Sequence, residues 1–129
     1  MILDSTFLVD LEREERRKVA GGATAFLESR PAERLAITFT IAGELAAGAT
    51  LGANRDAWRQ FLQGFRSYGY TEEVGWRFVA VYRTLRDCGC LIGANDMWIA
   101  ATALAWDEAL VTRNVAEFRR VSGLRVFGY

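Results

Sequence analysis

Short apolar runs alternate with stretches of helical periodicity along the whole chain, and that alternation constrains its fold more than any other feature. Ile2-Leu3-Asp4, Leu35 to Thr38, Ala109 to Thr112 and Leu124 to Phe127 read as strands, and Leu91-Ile92 as a very short buried segment. Between them lie helix patterns. Phe7-Leu8-Val9 and Leu11 follow the cap-type residues Ser5 and Thr6, and Val19, Ala20, Ala23, Phe26 and Leu27 continue at helical spacing up to Pro31. Thr40 caps a helix striped by Ile41, Leu45 and Gly48. Asn54 precedes Trp58, Phe61, Leu62 and Phe65. Val74, Phe78, Val81, Tyr82 and Leu85 run towards Gly89, then Ile99, Ala100, Ala103 and Leu104 share a face, and Val115 to Val121 forms a last short helix. Strands regularly interleaved with helices predict an α/β fold, a central mostly parallel sheet with helices on both faces, in one domain over residues 1–129.

Composition removes whole classes of chemistry. The chain contains no histidine, so Ser-His and Cys-His nucleophiles, a histidine base and histidine metal ligands are all excluded. It has one lysine, Lys18, within the charged run Glu12 to Lys18, and no Gly-Lys-Ser/Thr phosphate loop. Sixteen basic residues balance sixteen acidic ones, so any polyanion must be held locally, and mostly by arginine. Cys88 and Cys90 are too few for a zinc site and too close for the usual redox spacing; they read as two small residues at a helix-to-strand junction. The expected setting is cytoplasmic: the sequence opens on a strand-like run instead of a signal peptide, and no apolar stretch reaches the ~18 residues of a membrane span.

Four polar residues stand where such a fold delivers ligands. Asp4 closes the first apolar run, Glu44 lies just inside the helix after the second, Asp96 opens a helix after Leu91-Ile92, and Asn114 follows Ala109 to Thr112. Open parallel sheets bind ligands outside the carboxyl ends of their strands. Each residue alone has an ordinary explanation, as a cap or a favourable charge at a helix start. Together they form an oxygen-rich set suited to a hard divalent cation, because clustered carboxylates repel and need a counter-charge.

These stretches also resemble a known family. Ile2-Leu3-Asp4-Ser5-Thr6, Thr40-Ile41-Ala42-Gly43-Glu44-Leu45, Asn95-Asp96-Met97-Trp98-Ile99-Ala100-Ala101-Thr102-Ala103 and Leu110-Val111-Thr112-Arg113-Asn114 with Phe118 resemble the motifs of PIN-domain ribonucleases, above all the VapC-type toxins of bacterial toxin–antitoxin pairs. The resemblance spans essentially the whole chain. It implies a three-layer α/β/α fold and a Mg²⁺- or Mn²⁺-dependent endoribonuclease that hydrolyses RNA phosphodiesters with a metal-activated water. It implies Asp4 and Asp96 as metal ligands, Glu44 as a ligand or as the orienter of a water at the ion, and Asn114 where many members carry an acid. Thr6 and Thr112 match hydroxyl positions that hold waters or neighbouring carboxylates.

Arg113 beside Asn114 is left with two roles, a flanking phosphate or a neighbouring acid. The partners implied are a structured RNA such as tRNA, a cognate antitoxin whose C-terminal segment covers the site, and a second copy of the chain. Trp58, Phe61, Phe65, Trp76 and Tyr82 are the candidate contact surface. A haloacid-dehalogenase-like phosphatase is disfavoured because position 6 is threonine where that pattern needs a second aspartate, and a dinucleotide fold because no glycine-rich turn follows the first strand. The rival from another class is a catalytically silent module that keeps the fold and binds an antitoxin-like partner; neutral Asn114 keeps it in play.

Overall fold

The computed structural model describes residues 1–49 and 51–129. Its elements run β1 (Ile2–Leu3), α1 (Ser5–Arg17), α2 (Gly22–Glu28), β2 (Ala36–Thr38), α3 (Phe39–Ala47), α4 (Arg55–Leu62), β3 (Arg66–Tyr68), α5 (Glu72–Asp87), α6 (Ala94–Ala105), β4 (Leu110–Val111), α7 (Val115–Phe118) and β5 (Val126–Phe127). The five strands form one sheet in the order β3-β2-β1-β4-β5, with every neighbouring pair parallel. The chain winds outward from β1 through β2 to β3 and then crosses back to β4. The strand order therefore reverses between β1 and β4, the place where an open α/β sheet forms a crevice at its carboxyl edge.

Successive residues of a strand point to opposite faces of the sheet. Ile2 and Leu3 are both fully buried, as are Leu110 and Val111, so both faces of the sheet centre are covered. The expected three layers follow from that. The core joins these residues to Phe7, Leu8, Ile37, Ile41, Leu85, Ile99 and Phe118. Among the described residues no helix is long and apolar enough to cross a membrane.

Several local expectations need correction. Arg66 to Tyr68 is a strand that no apolar run announced; only Tyr68 is buried, and pairing with β2 makes the segment extended. Of Leu91-Ile92, expected to be buried, only Ile92 is; Leu91 is exposed. The pattern from Ser5 to Pro31 is two helices. Lys18 turns left-handed at φ 54° and ends α1, and Glu14 reaches across to cap α2 by accepting from the backbone N–H of Gly21, Ala23 and Thr24 and from Thr24 Oγ1. The cap of α3 is Thr38, whose hydroxyl accepts from Ile41 N–H at 3.2 Å; Thr40 lies inside the helix with its buried hydroxyl unpartnered. Cys88 and Cys90 are joined in a disulfide, with Gly89 between them at φ 66°, so the reading as two plain small residues is overturned.

Candidate active site

Asp4 is the fixed point of the crevice. It follows β1, caps α1 through its Oδ1, which accepts from Ser5 N–H at 2.8 Å, and is almost wholly buried. Its Oδ2 accepts from Thr6 Oγ1 at 2.9 Å and from Thr112 Oγ1 at 2.7 Å. Thr112 follows β4 and also accepts from Asn114 N–H at 2.9 Å. One hydroxyl thus ties the ends of the two strands that flank the switch point. Burial without partners would cost this carboxylate several kcal/mol, and the hydroxyl and amide donors supply those partners.

Asp96 sits in the first turn of α6, half-buried, where an acidic side chain suits the positive end of the helix dipole. Its carboxyl is nevertheless raised from 3.8 to about 6, first by burial, then by the negative charges of Asp4, Glu117 and Glu44, and by a hydrogen bond shared with Glu117. Three carboxylates, from α1's cap, α3 and α7, therefore act on the one from α6 across the crevice. Glu44 is half-buried on α3, and its Oε1 accepts from Asn95 Nδ2 at 3.0 Å. Among the described residues, none of these four acids pairs with an arginine or lysine, although eight ion pairs form elsewhere.

Of the residues singled out in the sequence, Asp4, Thr6, Thr112, Glu44 and Asp96 come together. Asn114 is at the rim, exposed, at the start of α7. Arg113 resolves to the acid: its guanidinium pairs with Asp10 on α1, while its backbone N–H reaches Thr6 Oγ1 at 3.4 Å. Glu117 was missed. It lies three residues after Asn114 and in the same short helix turn, so i, i+3 spacing from a residue already suspected was the available signal.

Two grooves open beside Glu44. One of about 290 Å³ runs between α1 and α3, lined by Ser5, Val9, Glu12, Leu45 and Leu51. The other, of about 440 Å³, is lined by Phe39, Thr40, Gly43, Asn95 and Trp98. Trp98 stacks on Phe78 at 4.0 Å and meets Phe39 and Tyr70 edge-on. Phe39, Tyr70 and Trp76 remain exposed around it and Tyr82 is exposed on α5, whereas Trp58, Phe61 and Phe65 are packed against the core.

The donor set is carboxylate and hydroxyl oxygen, without imidazole or available thiolate, which fits magnesium or manganese better than zinc. Among the described residues no three acidic side chains stand close enough to grip an ion as they are. Uncompensated anions hold one another off, so approach of a cation and rearrangement of side chains would go together.

Comparison with known proteins gives the family and the fold. The family model described as "PIN domain" matches residues 1–124. Ribonuclease VapC10 of Mycobacterium tuberculosis is 31% identical over 118 residues, covering 92% of this chain and 85% of that one. Ribonuclease VapC1 of Haemophilus influenzae (strain R2866) is 28% identical over 128 residues, covering 96% and 93%. Among solved structures, VapBC2 from Rickettsia felis, bound to a DNA fragment from its promoter, superposes with a TM-score of 0.81 over 99% of this chain and 97% of that one, at 22% identity. VapBC-1 from nontypeable Haemophilus influenzae superposes at 0.74 over 98% and 96%, at 24% identity.

Proposed function

Because the chain belongs to the PIN-domain family, and within it to the VapC proteins, we propose that it is an endoribonuclease toxin that hydrolyses RNA phosphodiesters with Mg²⁺ or Mn²⁺ in the crevice of Asp4, Glu44, Asp96 and Glu117. The observation that carries this reading is the carboxyl of Asp96, raised to about 6 by burial and by three other acids with no basic residue to offset them. A cation from outside would offset that charge and draw the side chains together. Asp4 and Asp96 would hold the ion, with Glu117 beside Asp96 and Glu44 facing them. A bound divalent cation supplies a Lewis acid for the scissile phosphate and makes water a nucleophile at neutral pH.

The chain's own residues do the rest. Ser5, Thr6 and Thr112 hold the Asp4 carboxylate in place and aimed. Glu44 would orient the attacking water and accept a proton from it. Asn114, at the rim, presents an amide that can hold a water without adding charge. Arg113, tied to Asp10, braces the loop instead of competing for the carboxylates.

The reading as a silent binding module loses its main support, since Glu117 supplies the acid that Asn114 lacks. Two partners follow from the same site. An antitoxin segment carrying a basic residue next to an apolar one suits the groove between α1 and α3, where Glu12 and Glu44 flank Val9 and Leu51. A second copy of the chain suits the exposed aromatic face of Phe39, Tyr70 and Trp76, since isolated soluble domains rarely leave large apolar patches open. The purified chain should cut structured RNA with Mg²⁺ or Mn²⁺ and stop on chelation, and Asp96→Asn should be inactive. RNA that is bound but never cut with any divalent ion would establish the binding module instead.

A further inference from the structure

Glu44 has more freedom than Asp4 and Asp96. Asp4 is short, buried and met by several donors, and Asp96 is fixed by the first turn of α6. Glu44 is a long side chain, and holding it still costs rotamer entropy. It lines both grooves, of about 290 Å³ and about 440 Å³, so either offers it room to swing out of the crevice. Among the described residues one contact restrains it, the 3.0 Å hydrogen bond from Asn95 Nδ2 to its Oε1. That bond joins positions 51 residues apart and spans α3 and α6, which pack together.

We infer that Asn95 is a positioning residue for the reaction: its amide holds Glu44 over the crevice and occupies one of its two carboxylate oxygens, leaving the other for an ion or an attacking water. The inference rests on the ribonuclease reading and adds a role to it. Asn95 immediately precedes Asp96, so a single helix turn sets two of the four acids, and a shift of α6 moves both together. An amide also suits the task electrically. An arginine or lysine here would pair with the carboxylates in place of a cation, and an aspartate would repel Glu44. Asparagine donates without carrying charge.

The test compares wild type, Asn95→Ala, Asn95→Asp, Glu44→Ala and the Asn95→Ala/Glu44→Ala double variant. RNA cleavage is followed for kcat and KM, Mn²⁺ affinity by calorimetry, and folding by thermal melts. Asn95 is exposed, so the melts should stay within a few degrees of wild type. Both Asn95 variants should lose roughly 10–100-fold in kcat, the scale for residues that orient a metal site's ligands, with KM for RNA nearly unchanged. Asn95→Ala should weaken Mn²⁺ binding by several-fold, and should add less than about twofold when Glu44 is already alanine. Wild-type kcat and Mn²⁺ affinity in Asn95→Ala, or an undiminished penalty in the double variant, would overturn the inference. If wild type cuts no RNA, the ribonuclease reading fails and the Mn²⁺ cycle alone decides Asn95. If it binds no Mn²⁺ either, both fall.

Discussion

Replacing Asp96 by asparagine should make the metal-free protein more stable at neutral pH while removing its activity. The carboxyl titrates near 3.8 when unfolded and near 6 in the fold, so between those values the native state holds the extra proton. Stability then falls as pH rises through that window, because the ionised form is the one the fold disfavours. Two pKa units at about 1.4 kcal/mol each give roughly 3 kcal/mol at pH 7. Loss of a negative charge from the start of α6 offsets about 0.5–1 kcal/mol of that. A net gain of about 2 kcal/mol corresponds to roughly 8 °C in Tm for a domain of this size. Melts of wild type and Asp96→Asn with EDTA at pH 7.5, 6.5 and 5 should show the gap closing as pH falls. Background titration elsewhere, such as Glu14 and Glu108, is common to both proteins and cancels. Saturating Mg²⁺ should then raise wild type alone, since ligands that bind only the native state stabilise it by mass action. The reasoning is refuted if Asp96→Asn melts at or below wild type at pH 7.5, or if the gap is the same at pH 5.

Other perturbations separate the parts of the site. Thr112→Val keeps the shape of a buried residue but deprives Asp4 of the 2.7 Å donor; it should cost about 1–2 kcal/mol in urea unfolding and at least roughly tenfold in kcat. Glu117→Gln should lower Asp96's pKa and weaken Mn²⁺ binding, read by carboxyl NMR and calorimetry; unchanged values would remove Glu117 from the site. Glu14→Ala should cost about 1–2 kcal/mol through loss of the α2 cap with cleavage intact. Arg113→Ala breaks an ion pair whose guanidinium is 62% exposed, so its effect on stability should stay under about 1 kcal/mol in denaturant melts.

The parts of the fold legible in sequence are those where burial writes a one-dimensional pattern. β1 and β4 are covered on both faces, so their residues are apolar without interruption, and the acids stand out at their ends. Strand β3 could not be read that way, because Arg66 and Ser67 face solvent and the segment is extended only by its pairing to β2. Glu117 was hidden for a different reason. Asn114 occupied the position where an acid was sought, and the carboxylate arrives one turn later on a helix of four residues. The role of Asn95 was invisible because it depends on how closely α3 and α6 pack, which no spacing along the chain encodes.

The four acids lie at positions 4, 44, 96 and 117, on separate elements, and the strands that bring them together pair in an order different from the order of synthesis. A nascent chain that has not yet reached residue 117 carries only three of the four. Gathering all four in one crevice therefore waits until the sheet has received β4 and the chain has passed α7.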